Sequence, residues 1–137
     1  MTQALFVKNQ RRGLDGNTDQ RVGEFTWSPV NFGAANAGVI KPAGGLVKAL
    51  QLENINAALR FFLIVNKETT PVGGGADDSL IVRYFPVPSN NTLYVDQEFL
   101  GSIGIDCSRG IAWAFSTSRS TIVLGVATEI FSTVGYV

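Results

Sequence analysis

The chain has 137 residues, enough for one domain whose core removes roughly two-thirds of the unfolded surface from water. Hydrophobic residues make up 45% and charged residues 16% of it, against roughly 25% charged in an average soluble domain, and the formal net charge is zero. These values exclude a strongly basic nucleic-acid footprint, a disulfide framework (Cys107 is the only cysteine) and an apolar run of the ~20 residues that span a bilayer.

So little charge gives copies of the chain little reason to stay apart, and part of the surface is expected to be covered by neighbours. An all-β core that needs few charges is the plainer alternative. Residues 1–68 carry eight Lys/Arg and five Asp/Glu, and residues 69–137 carry three and six. That asymmetry suits head-to-tail packing of copies and is equally well explained by chance.

Residues 1–24 read as an arm. Leu5, Phe6 and Val7 form an apolar tip, followed at once by Lys8, Asn9 and Gln10, so a signal peptide's apolar centre is missing and synthesis in the cytoplasm is expected. Arg11 to Gln20 is polar, punctuated by glycine and without period. A segment of this kind docks on a neighbour or folds back on its own domain.

Residues 25–137 read as β throughout. Phe25-Thr26-Trp27 is a short strand that Ser28-Pro29 is expected to stop, because proline lacks a ladder donor. Gly38 to Lys41 leads into the turn Pro42-Ala43-Gly44-Gly45. Leu46 to Leu52 then alternates, which places Leu46, Lys48, Leu50 and Leu52 on one face. Glu53 to Asn56 supplies a turn. Arg60 to Val65 is a continuous apolar run, expected as a strand buried on both sides. A polar loop with Gly73-Gly74-Gly75 and Asp77-Asp78 precedes a strand from Leu80 to Val87. Thr92 to Phe99 alternates again, and Ile111 to Phe115 alternates large with small residues. Glu129 to Val137 is the last strand. Seven or eight short strands without a convincing helix predict an all-β fold, a β-sandwich or jelly roll with an extended N-terminal arm.

Histidine is absent, which removes the commonest general base and every triad built on it. Cys107, between Asp106 and Ser108, reads as a small hydrophobe in a strand. Asp15, Asn17 and Asp19 begin a calcium-loop spacing that fails at Gln20 and Thr26. Asp77 and Asp78 read as solvent-facing carboxylates. Gly73 to Gly75 lacks the Gly-Lys-Ser/Thr ending of a phosphate loop. Trp27, Trp113, Tyr84 and Tyr94 are candidates for a sugar- or base-stacking face, with core packing as the competing reading. No catalytic residue, metal ligand or cofactor is assigned, and neither nucleic acid nor membrane is expected as a partner.

From residue 38 onward the chain carries an ordered series of phrases. They are Lys41-Pro42-Ala43-Gly44-Gly45-Leu46, Asn54-Ile55-Asn56-Ala57-Ala58-Leu59-Arg60-Phe61 and Asn66-Lys67-Glu68-Thr69-Thr70-Pro71-Val72-Gly73. Phe85-Pro86-Val87-Pro88, Gly104-Ile105, Arg109-Gly110-Ile111-Ala112-Trp113-Ala114 and Gly135-Tyr136-Val137 follow. In order and spacing these resemble small β-sandwich virion proteins of tailed bacteriophages and prophages. The stretch Ile122 to Val126 is more apolar than the Asp-rich loop of that family. The resemblance implies a non-enzymatic structural protein on the virion, a capsid decoration (cement) protein first. A small tail or fibre-base component, or a glycan-binding host-recognition module, is the alternative. It further implies major capsid protein or other virion subunits as partners and a homo-oligomer, a trimer first. The expected shell and subunit contacts are Leu5, Phe6, Val7, Arg11 and Arg12.

Overall fold

The computed structural model describes residues 26–30, 35–101, 103–125 and 130–137. They form nine strands: β1 (Thr26–Val30), β2 (Ala37–Lys41), β3 (Gly45–Asn54), β4 (Arg60–Asn66), β5 (Ile81–Val87), β6 (Asn91–Val95), β7 (Ile105–Cys107), β8 (Ile111–Ser116) and β9 (Ile130–Tyr136). One four-residue helix, α1 (Gln97–Leu100), separates β6 from β7. The strands make two antiparallel sheets. The first runs β1-β9-β3-β6, with β7 beside the opening residues of β3, and the second runs β2-β8-β4-β5. The chain is an all-β sandwich, as its composition and turn spacing predict.

The central strands of the second sheet follow from their sequences. In β8 the large residues Ile111, Trp113 and Phe115 enter the space between the sheets, where they meet Phe62 and Ile64 of β4 and Leu50, Leu52 and Val134 of the first sheet. The rings of Phe62 and Trp113 stack with centroids 5.9 Å apart and planes 10° apart. On the opposite face Ala112 and Ala114 are small enough for Ile122 to lie against Leu63 and Val65 in a second cluster. Strand β4 is thus buried on both sides: Phe62 and Ile64 serve one cluster, Leu63 and Val65 the other.

Three expectations are corrected. The face of β3 does not run unbroken from Leu46. Its register against β9 shifts between Val47 and Ala49, so Val47 faces the core before the shift, and Leu50 and Leu52 face it after. An extra residue in a ladder inverts the phase of everything beyond it. Pro29 does not stop the first strand, because β1 lies at an edge and pairs through it, Pro29 opposite Thr133. The strand expected over Thr92 to Phe99 ends at Val95, where the Asp96 side chain accepts the Phe99 backbone N–H at 2.9 Å and turns the chain into α1.

The two sheets are pinned together by Asn54, which is fully buried at the end of β3. Its Nδ2 donates to the carbonyls of Ala58 and Val87, both at 2.9 Å, and its Oδ1 accepts the Asn56 N–H at 2.8 Å. At the other end of β4, Asn66 Oδ1 accepts from Arg109 N–H at 2.7 Å and from Gly110 N–H at 3.3 Å, which holds the turn between β7 and β8.

Candidate functional site

Leu5, Phe6, Val7, Arg11 and Arg12, the arm they belong to, and the Asp15–Asn17–Asp19 spacing all lie outside the described residues. The remaining candidates fall into three groups.

Cys107 is buried in β7, and burial, with Asp106 adding to it, pushes its thiol up to about 11. A thiol so rarely ionised near neutral pH is a poor nucleophile, in keeping with a packing role.

The loop carboxylates are not simply solvent-facing, contrary to the sequence reading: Asp77 is buried, and Asp78, half-buried, is held by a main-chain bond. Asp77 accepts from Lys67 Nζ at 2.6 Å and from the Val72 N–H at 2.9 Å. Asp78 Oδ1 accepts the Ile122 N–H at 2.9 Å. Ser116 Oγ accepts from Ser118 and Val123 N–H, both at 3.0 Å, and donates to Thr121 O at 2.8 Å. The Asp78 and Ser116 bonds strap the segment around Ile122 over Ala112 and Ala114, while those of Asp77 tie its own loop to Lys67 and Val72. The Lys67 hydrogen bond, then that of Val72, holds the Asp77 carboxyl below its ordinary 3.8. A depressed folded-state value means that this stabilisation is complete well above 3.8 and is lost as pH falls through the folded-state value. Asp77→Asn is expected to cost about 1 kcal/mol at neutral pH and to flatten the acid limb of stability. Urea unfolding of both proteins across the acid range checks this, and an unchanged acid limb would count against a stabilising role for the Lys67–Asp77 pair.

The four aromatics do not share a face. Trp113 is core. Trp27 lies on edge strand β1 over Gly135, where an added Cβ would come within 3.1 Å of its ring. Tyr84 is on β5 of the other sheet, edge-on to Phe61 with centroids 6.0 Å apart. Tyr94 stands at a concavity formed by described residues.

That concavity is a groove of about 330 Å³ where the rims of the two sheets meet, lined by Phe85 of β5, Leu93, Tyr94 and Val95 of β6, then Asp96 and Phe99. Its floor follows from strand period. Phe85 pairs with Phe62 and Val95 with Leu50, so both point into the sandwich. Its walls are open: Tyr94 is 71% and Phe99 66% exposed. Arg83 of β5 places its guanidinium 5.5 Å from the Phe85 centroid and 5.7 Å from that of Phe99. The sequence reading missed Arg83, Leu93, Asp96 and Phe99. The one local signal was Asp96 three residues before Phe99, a helix N-cap spacing. Arg83 gives no local signal, because it reaches the site from the second sheet.

Among the described residues no group of three or more His, Cys, Asp or Glu side chains could hold a metal ion, and no helix is long and apolar enough to cross a membrane. Comparisons with protein-family models, with curated proteins and with solved structures find no match to this chain.

Proposed function

We propose that the protein is a non-enzymatic virion structural protein, a capsid decoration protein that binds the outside of a tailed-phage head and stabilises the shell. The observation that carries this reading is surface chemistry. The chain is 16% charged with no net charge, and its described surface leaves Tyr94, Phe99 and Ile103 at least 66% exposed within ten residues of one another. Exposed apolar surface on a weakly charged protein suits coverage by neighbours. The ordered series of phrases from Lys41 to Val137 supports the same reading, and a sandwich is the fold that the resemblance implies. The burial of Cys107 and the structural bonds of Asp77 and Asp78 leave these groups poorly suited to chemistry. A glycan face built from Trp27, Trp113, Tyr84 and Tyr94 is not proposed, because those residues are dispersed.

In this proposal many shallow contacts act together, since weak interfaces on a symmetric lattice sum through avidity. The sandwich packs with copies of itself around a three-fold, and Leu5, Phe6 and Val7 bury on neighbouring capsid subunits while Arg11 and Arg12 pair with shell carboxylates. The test is co-sedimentation with phage heads assembled without the protein. The full chain is expected to pellet with them, and a variant lacking residues 1–20 to stay in solution with an unchanged unfolding midpoint. Equal binding by the truncated protein would remove the arm from the mechanism. No binding by the full chain would remove the decoration reading itself.

A further inference from the structure

Edge strands offer unpaired backbone groups to any passing strand, and folded proteins blunt them with proline, charge, bulges or brevity. Three of the sandwich's edges are blunted in this way. Strand β1 carries Pro29, β2 ends in Lys41 with a register shift beside it, and β5 carries Arg83, Pro86 and a register shift against β4. Strand β7 has three residues, one of them Asp106. The remaining edge, β6, is different. Asn91-Thr92-Leu93-Tyr94-Val95 has no proline and no charge, and pairs with β3 without a shift. Among the described strands nothing pairs with its outer side.

The apolar groove opens along that same edge. Beside two of its lining rings, Phe85 and Phe99, stands the guanidinium of Arg83. Among the described residues it makes no ion pair, and its planar fork of donors suits a carboxylate taken through two hydrogen bonds. Asp96, the one charged residue that lines the groove, is committed to the α1 cap through Phe99 N–H. A bare strand edge, a groove for one apolar side chain and an unpaired cation are what a peptide added as an extra strand requires. Its main chain pairs with the edge and alternate side chains enter the adjoining sites.

We propose that the β5–β6 rim is a docking site for an extended acidic segment of a partner polypeptide. The segment adds to the outer edge of β6, seats an apolar side chain between Phe85, Leu93 and Phe99, and places a carboxylate on Arg83. This proposal shares the exposed Tyr94 and Phe99 with the decoration reading but needs no phage head. Its test reads peptide binding at β6 and Arg83, so the two can fail separately.

The test uses the full chain and a display library of random short peptides, with enriched peptides then measured by fluorescence polarisation. Enriched sequences are expected to carry Asp or Glu two positions from a large apolar residue, the spacing that puts both on one strand face. Arg83→Gln and Phe99→Ala change exposed side chains and are expected to keep the wild-type unfolding midpoint, yet each should weaken binding about tenfold. Slowed amide exchange confined to β6 in the presence of peptide would confirm strand addition. The proposal is overturned if no peptide is enriched, if enriched peptides lack the acid, or if binding is indifferent to both substitutions. It is also overturned if the rim instead takes glycans on an array, or mediates self-association that both substitutions abolish.

Discussion

Replacing Asn54 with alanine is expected to lower the unfolding free energy by about 3 kcal/mol and the melting temperature by about 10 °C. The side chain is fully buried and satisfies three main-chain groups at once: the carbonyls of Ala58 and Val87 and the N–H of Asn56. An unpaired buried donor or acceptor costs about 1–3 kcal/mol, and the turn at residues 55–59 is open enough for water to recover part of that. Ala58 precedes β4 and Val87 ends β5, so the same side chain fastens the first sheet to two strands of the second. Asn54→Asp separates donor from acceptor. It keeps the oxygen facing Asn56 N–H but turns a charge toward two carbonyl oxygens, so the loss at pH 7 should exceed that of alanine. Its carboxyl would titrate higher folded than unfolded, so some stability should return as pH falls and protonation restores one donor. Chemical unfolding of both variants near neutral and acid pH checks the order. Alanine within about 0.5 kcal/mol of wild type would show that the inter-sheet pin lies elsewhere.

The strands buried on both faces were the most legible part of the fold. A run such as Phe61 to Val65 has no amphipathic period to misread, and the large–small alternation of β8 directly encodes a thick core on one side and a thin cover on the other. The errors came where one residue changes the phase. Leu46, Lys48, Leu50 and Leu52 alternate in sequence, but the register shift between Val47 and Ala49 divides them. Nothing local announces it, because the shift is set by pairing with a strand more than eighty residues away. At Asp96 the alternation continues into Phe99 and conceals a cap that a carboxylate three residues ahead does signal.

The groove was illegible for a different reason. Its floor and walls come from β5 and β6, which are neighbours in sequence but rims of different sheets. Their side chains meet only because Pro88, Ser89 and Asn90 carry the chain across the sandwich. Tyr94 is one of four candidate aromatics, but its companions in the groove are Phe85, Leu93 and Phe99 rather than either tryptophan. The loop aspartates failed in the opposite sense. Asp77 and Asp78 look solvated beside three glycines, yet Asp77 is spent on Val72 N–H in its own loop and on Lys67, and Asp78 on Ile122 N–H, which only the folded strap brings near.

Gly104→Ala should rank with Asn54→Ala, at about 3 kcal/mol, for reasons that lie wholly in the backbone. Gly104 has φ of +92°, a region that side chains disfavour, and a Cβ there would drive into the carbonyl oxygen of Val47. Val47 has little freedom to retreat. It is fully buried, pairs with Ile105 on one side and Tyr136 on the other, and borders the register shift of β3. Gly74 separates the two causes. Its φ of +95° is nearly the same, but nothing lies within 4 Å of an added Cβ. Gly74→Ala should therefore show the conformational strain alone, about 1 kcal/mol. The excess at Gly104 then measures the collision with β3. Urea unfolding of the two variants beside the wild type reads both quantities. Equal losses would mean that β7 swings away from β3 without cost, and that the pairing of Ile105 with Val47 adds little to the first sheet.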